Sequence, residues 1–227
     1  FKAVNLAIKN KIPLILEKPI GNTYRNVEKI KLLANKYNLI IIPNLTNYFS
    51  DSFFYLKNYV DKNFDEIKRI IIFEGDNGPY RKNIHPIWDW GFHSFSTLLK
   101  IFENKKFSKI SKKEIKDNNT HTNGMITRFK FSVESRFEVK LISGNLFKQK
   151  LRKFKIILKN SNVLESNMIN HKIYLNKNIV FESKISPLQS LLNTFSKIIK
   201  ERNNDYSKNL IDISQKTTEI LEEFYNC

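Results

Sequence analysis

The chain has 227 residues, 41% of them hydrophobic and 27% charged, enough apolar material for one large domain or two small ones and too much for a disordered segment. Its formal net charge is +17, yet basic residues interleave with acids in every segment and no zinc-finger, KH or RNP signature occurs, so a Lys-rich surface with weak polyanion attraction is expected rather than a specific nucleic-acid site. The single cysteine, Cys227, excludes an internal disulfide, and no apolar run approaches the ~18 residues of a membrane span.

The N-terminus carries no basic stretch followed by an apolar one, so no signal peptide is read and a cytoplasmic location is expected. Val4, Ala7 and Ile8 recur at helical spacing before Pro13. Leu14 to Leu16 is a continuous apolar run, as in a parallel strand covered on both faces. Asn22 to Tyr37 predicts an amphipathic helix with Val27, Ile30, Leu33, Ala34 and Tyr37 on one side and Asn22 or Thr23 as its cap. Leu39 to Ile42 is a second apolar strand. Helix, strand, helix, strand at these lengths is the grammar of an open α/β sheet.

The pattern then changes. Ser50 to Val60 predicts a helix with an aromatic body, and Glu66 to Glu74 a strand built on Ile67, Ile70, Ile71, Ile72 and Phe73. Residues 75–86 read as a loop, and Trp88 to Phe102 as a helix. Strands are expected at 109–116, 124–131, 136–142 and 154–158, and at 173–181 with a turn near Asn176. Strands in series with short polar turns argue a mostly antiparallel sheet in a second domain. Ser186-Pro187-Leu188-Gln189 has the form of a capping box with proline at the first helical position, and two helices close the chain, the second at 205–225 with Phe224 in its apolar stripe.

Two places carry chemistry. At about 100° per residue, Asp89, His93, Ser96 and Lys100 share one side of their helix, apart from an apolar stripe of Phe92, Phe95, Leu99 and Phe102. An Asp four positions before a His can orient the imidazole and raise its basicity, as a general base requires; an Asp at its helix start and a half-buried His would look the same. Lys18 ends a buried strand against Pro19, at the strand terminus where open α/β sheets place ligands; a solvated lysine is the plain alternative. His85, His121 and His171 are scattered without ligand spacing, so no metal site is expected.

Glu17-Lys18-Pro19 after an apolar strand, followed about seventy residues later by Asp89-x-Gly91-x-His93 at a helix start, resembles the glucose-fructose oxidoreductase / inositol dehydrogenase (Gfo/Idh/MocA) family. The resemblance runs over the whole chain. It implies an α/β remnant of a Rossmann domain with two parallel strands at 1–48. An α+β domain with an open, mainly antiparallel sheet follows at 49–185, and helices at 186–227 return toward the Rossmann part. It further implies hydride transfer between NAD or NADP and a sugar, cyclitol or nucleotide-sugar hydroxyl. In that reading Lys18 holds the reacting hydroxyl and the nicotinamide ribose, with Glu17 and Pro19 beside it in the cofactor-binding tripeptide. His93 is the acid/base and Asp89 orients it. Tyr80, Arg81 and Trp88 are substrate contacts by position, and the open sheet forms a homo-oligomer.

Family members begin with a strand, a Gly-x-Gly-x-x-Gly turn and a helix that cradle the pyrophosphate. The six glycines here form no such cluster, so the chain is expected to be a C-terminal portion that binds dinucleotide poorly by itself and leaves its two parallel strands with an exposed edge. The segment Pro43 to Phe49 also lacks the arginine often found there. A non-catalytic relic or partner subunit that oligomerises through the C-terminal sheet is the alternative, and a basic nucleic-acid-binding module a third.

Overall fold

The structure, a computed structural model, describes residues 1–81, 84–117 and 124–226, with the backbone alone for 109, 110 and 224–226. The expectations on His121 and on the Phe224 side chain therefore lie outside the described residues. The chain divides into two units, residues 1–49 with 187–227 and residues 50–186.

In the first unit the two apolar runs pair as parallel strands, β1 (Leu14–Leu16) and β2 (Ile41–Pro43), with Leu14 opposite Ile41. Helix α1 (Lys2–Asn10) precedes them and α2 (Tyr24–Lys36) connects them, capped by the Thr23 side chain accepting the Asn26 N–H. A 3₁₀ turn at Thr46–Phe49 follows, and α5 (Pro187–Glu201) and α6 (Asn204–Asn226) complete the unit. Val4, Ala7, Val27, Ile30, Leu39, Ile41 and Ile211 form its core.

The outer edge of β2 differs from the exposed edge expected of an isolated strand pair. The Ser207 hydroxyl on α6 donates to the Ile41 carbonyl at 2.7 Å and accepts its N–H at 3.0 Å. One hydroxyl thus satisfies both backbone groups that β2 turns away from β1, which is how a helix blunts a sheet edge. Glu222 adds a carboxylate at the start of α2, accepting the Tyr24 N–H at 2.7 Å, where the helix dipole favours negative charge.

The second unit opens with α3 (Asp51–Lys62), capped by Ser50, and a 3₁₀ turn at Phe64–Glu66. Its strands are β3 (Ile67–Asn77), β4 (Phe107–Lys116), β5 (Met125–Val133), β6 (Phe137–Gly144), β7 (Leu146–Leu158), β8 (Val163–Asn167), β9 (Lys172–Leu175) and β10 (Asn178–Glu182). They form one sheet in the order β10-β9-β8-β7-β3-β6-β5-β4. Neighbours are antiparallel except β3 and β6, which pair in parallel. Between β3 and β4 the chain makes a π-helical turn, Ile87–Gly91, that runs into α4 (Phe92–Ile101).

Alternation sets the faces. Phe129, Phe131, Val139, Leu141, Ile70, Ile72, Phe154 and Ile156 are buried on one face, and α4 lies on it through Phe95, whose ring stands 5.2 Å from that of Phe129. The other face carries half-buried Ile71, Phe73, Ile142, Lys140, Lys153 and Lys155. Residues 146–153 and 163–167 are strands where none was expected. The first run is Lys-rich and lies partly exposed; the second mixes Val163 and Leu164 with Glu, Ser and Asn. Ladder hydrogen bonds to β3 and β9, not side-chain preference, hold them extended.

Candidate functional site

Glu17, Lys18 and Pro19 follow β1 directly. Glu17 is exposed and Lys18 and Pro19 half-buried, and the Lys18–Pro19 peptide is cis. The tripeptide is tied to the end of β2 by Asn44. Its backbone N–H donates to the Leu16 carbonyl at 2.7 Å, its side-chain amide donates to Glu17 Oε1 at 2.7 Å, and its Oδ1 accepts from the Thr46 hydroxyl at 3.0 Å. Sequence patterning gave no reason to single out Asn44.

The remaining candidates lie in the second unit. Tyr80 and Arg81 sit on the loop after β3, held to the sheet by Asn145. That side chain is buried, accepts the Met125 N–H at 2.8 Å and donates to the Pro79 carbonyl at 3.1 Å, while the Asn145 backbone carbonyl accepts the Gly78 N–H at 2.9 Å. Gly78 has φ +84°, a left-handed conformation that glycine adopts without strain. The Tyr80 hydroxyl donates to Asn77 Oδ1 at 2.5 Å, and Arg81 reaches forward so that its Nε lies 3.4 Å from Asp89 Oδ2. Arg81 and Asp89 are thus brought together, a pairing the helical wheel did not contain.

Asp89 and Trp88 belong to the π turn rather than to a regular α-helix start. Backbone pairing in such a turn skips one residue further than in an α-helix, so the interval from Asp89 to His93 spans a change of phase that a uniform 100° wheel ignores. Gly91 shows why the turn fits: a Cβ there would stand 2.5 Å from Ile87 and 3.5 Å from Ser143 Oγ. His93 is buried, and its carbonyl accepts from the Ser96 and Thr97 hydroxyls at 3.0 and 2.7 Å.

Histidine 85 enters the turn by a different route. Its Nδ1 accepts the Ile87 N–H at 3.2 Å, which leaves the proton on Nε2, 3.4 Å from Glu114 Oε1. Burial pushes its pKa down; Glu114 opposes this, and Lys112 and Lys116 reinforce it. A neutral His85 therefore serves as an acceptor for the backbone of the turn.

A hollow of the second unit lies elsewhere, on the open face of the sheet between Lys153, Lys155, Glu165 and Tyr174. Among the described residues no cluster of His, Cys, Asp and Glu could hold a metal ion, and no helix is long and apolar enough to cross a membrane.

The first unit offers Lys18 at a strand terminus but has Gly21 as its sole glycine, so it contains no glycine-rich turn to cradle a pyrophosphate.

No protein-family model matches the chain, and no curated protein matches it. Solved structures do. A dehydrogenase (MviM) from Clostridium difficile superposes with a TM-score of 0.77 at 16% identity, over 99% of this chain and 74% of that one. UDP-N-acetylglucosamine 3-dehydrogenase GnnA from Acidithiobacillus ferrooxidans gives 0.73 at 11% identity, over 96% and 73%. An inositol dehydrogenase homolog from Azotobacter vinelandii, complexed with NADH and myo-inositol, gives 0.74 at 9%, over 97% and 70%. The chain has the fold of these oxidoreductases across nearly its whole length.

Proposed function

We propose that this chain is the C-terminal portion of an NAD(P)-dependent oxidoreductase that interconverts a hydroxyl and a carbonyl on a sugar, cyclitol or nucleotide sugar. The supporting observation is a pairing of fold and residues. A fold shared with a UDP-N-acetylglucosamine dehydrogenase and an inositol dehydrogenase homolog carries Lys18 at the end of β1 and Asp89 and His93 on the entry to α4. In this reading residues 1–49 are what is present of a nucleotide domain. Lys18 holds the reacting hydroxyl, His93 takes its proton in oxidation and returns it in reduction, and Asp89 sets the imidazole. The nicotinamide supplies or accepts the hydride. Arg81, Tyr80 and Trp88 contact the substrate, and the open face of the sheet is the surface for a second copy.

The test uses the protein preceded by a glycine-rich strand–turn–helix. It should reduce NAD⁺ or NADP⁺ with one member of a panel of cyclitols and nucleotide sugars. His93→Ala should lower turnover by roughly 10²–10⁴-fold while cofactor affinity holds. Unchanged turnover would remove His93 from the chemistry, and a collapse of cofactor binding would make its role structural. The second reading is a non-catalytic relic or partner subunit; a protein inactive on the whole panel with the turn supplied would support it.

A further inference from the structure

Strand register brings five residues into one row on the buried side of the sheet. Glu114 on β4 stands opposite Thr127 on β5, Thr127 opposite Ser143 on β6, Ser143 and Arg152 on β7 opposite Glu74 on β3. Directly opposed residues share a face, so the row Glu114–Thr127–Ser143–Glu74–Arg152 is continuous across five neighbouring strands. Every member is polar, and Thr127, Ser143 and Glu74 are buried.

The segment from His85 to Ser94 rests on this row, residue against residue. His85 meets Glu114 at 3.4 Å, Gly91 packs toward Ser143, and the Ser94 hydroxyl donates to Glu74 Oε2 at 3.4 Å. Arg152 Nε lies 2.9 Å from Glu74 Oε1, and its guanidinium sits over the Trp90 ring at 5.7 Å. Trp90 is the immediate neighbour of Asp89.

We infer that Glu74 and Arg152 are positioning residues for the Trp88–Gly91 turn, fixing from the sheet side the backbone that carries Asp89. The inference rests on the reading of Asp89 and His93 as proton-handling groups. Stability alone does not explain the row. A buried ion pair is often replaceable by apolar residues at no loss, and the hydroxyls of Thr127 and Ser143 and the indole N–H of Trp90 have no hydrogen-bond partner among the described residues. Groups of this kind cost stability where they stand, and polar exceptions in an otherwise apolar core gather at functional sites. What the pair supplies is geometry. The carboxylate lies against the guanidinium, which sits over the indole as a flat cation that an ammonium does not reproduce.

The test is spectroscopic and needs no turnover. The chain has two tryptophans, so Trp88→Phe leaves Trp90 as the sole indole; the Arg81 Nε–H resonance reports its pairing with Asp89. In that background Arg152→Lys keeps the charge, and Glu74→Leu/Arg152→Met replaces the pair by apolar side chains. Both should fold with a thermal midpoint near that of the parent, shift Trp90 emission to longer wavelength with greater acrylamide quenching, and move the Arg81 Nε–H signal. A folded double variant with both signals unchanged would overturn the inference. Should the double variant not fold, Arg152→Lys decides: unchanged emission would leave charge balance as the role of Arg152. In the complete protein the double variant should lose about 10²-fold in turnover, the scale of a misplacement near 1 Å. A spectroscopic shift in a protein that turns over no hydroxyl substrate would preserve this inference and remove the oxidoreductase reading.

Discussion

Two rows cross the buried face of the same sheet, a single strand step apart, and do different work. One runs Phe129–Leu141–Ile72–Phe154 and lies under the body of α4, where Phe95 meets Phe129. The next runs Thr127–Ser143–Glu74–Arg152 and lies under the turn before α4. Ile72 and Glu74 are both wholly buried, on the same strand and the same face. Burial therefore does not distinguish the rows; chemistry does. The apolar row anchors the helix and the polar row aims the turn.

The sharpest break in this comparison is Phe129→Ala, which empties the apolar row and should cost about 3–5 kcal/mol in urea unfolding. Removing half of the polar row's ion pair comes next. Glu74→Ala leaves the Arg152 guanidinium without its carboxylate, and because Arg152 is about one-fifth exposed the loss should be about 2–3 kcal/mol, below that of a fully buried pair. The apolar double replacement should cost far less, and a double variant as damaged as Glu74→Ala would make the polar row a stability element like its neighbour. Thr23→Ala in the first unit is the control: loss of the α2 cap should cost about 1 kcal/mol without moving Trp90 emission.

The smallest effect is a pH dependence. The folded-state pKa of His85 lies below its ordinary 6.5, so the unfolded chain binds its proton first. Its contribution is complete above about pH 6.5 and is lost as pH falls toward the folded value. The thermal midpoint of the wild type should therefore drop more on acidification than that of His85→Gln. His171 is shifted in the same direction by burial and is common to both proteins, so the difference belongs to His85. Parallel curves would mean that His85 does not hold the turn as a neutral acceptor.

Single-strand patterning made much of this legible. β1 and β2 are continuous apolar runs, β3 is built on the apolar stretch Ile70–Phe73, β5 alternates from Arg128 to Val133, and the hairpin of β9 and β10 turns at Asn176 and Lys177, both with positive φ. The Lys-rich start of β7 and the short β8 were not legible, because neighbouring strands hold them extended. The tripeptide at Lys18 and the Asp89/His93 interval could be picked out as local words. The polar row could not, since Glu74, Thr127, Ser143 and Arg152 are neighbours only through register across four strands. The π turn was equally hidden: the close packing at Gly91 is against Ile87, four positions back, a spacing that a regular α-helix has as well.

On the proposed reading this chain holds proton-handling and substrate-contacting groups, while the pyrophosphate cradle is not built from its own residues. The most direct test is titration of the 227-residue chain with NADH and NADPH, followed by nicotinamide fluorescence with a thermal-shift control. A folded chain with no saturable binding is expected. Saturable binding in the micromolar range would contradict that reading, because a dinucleotide site would then be assembled without a glycine-rich turn.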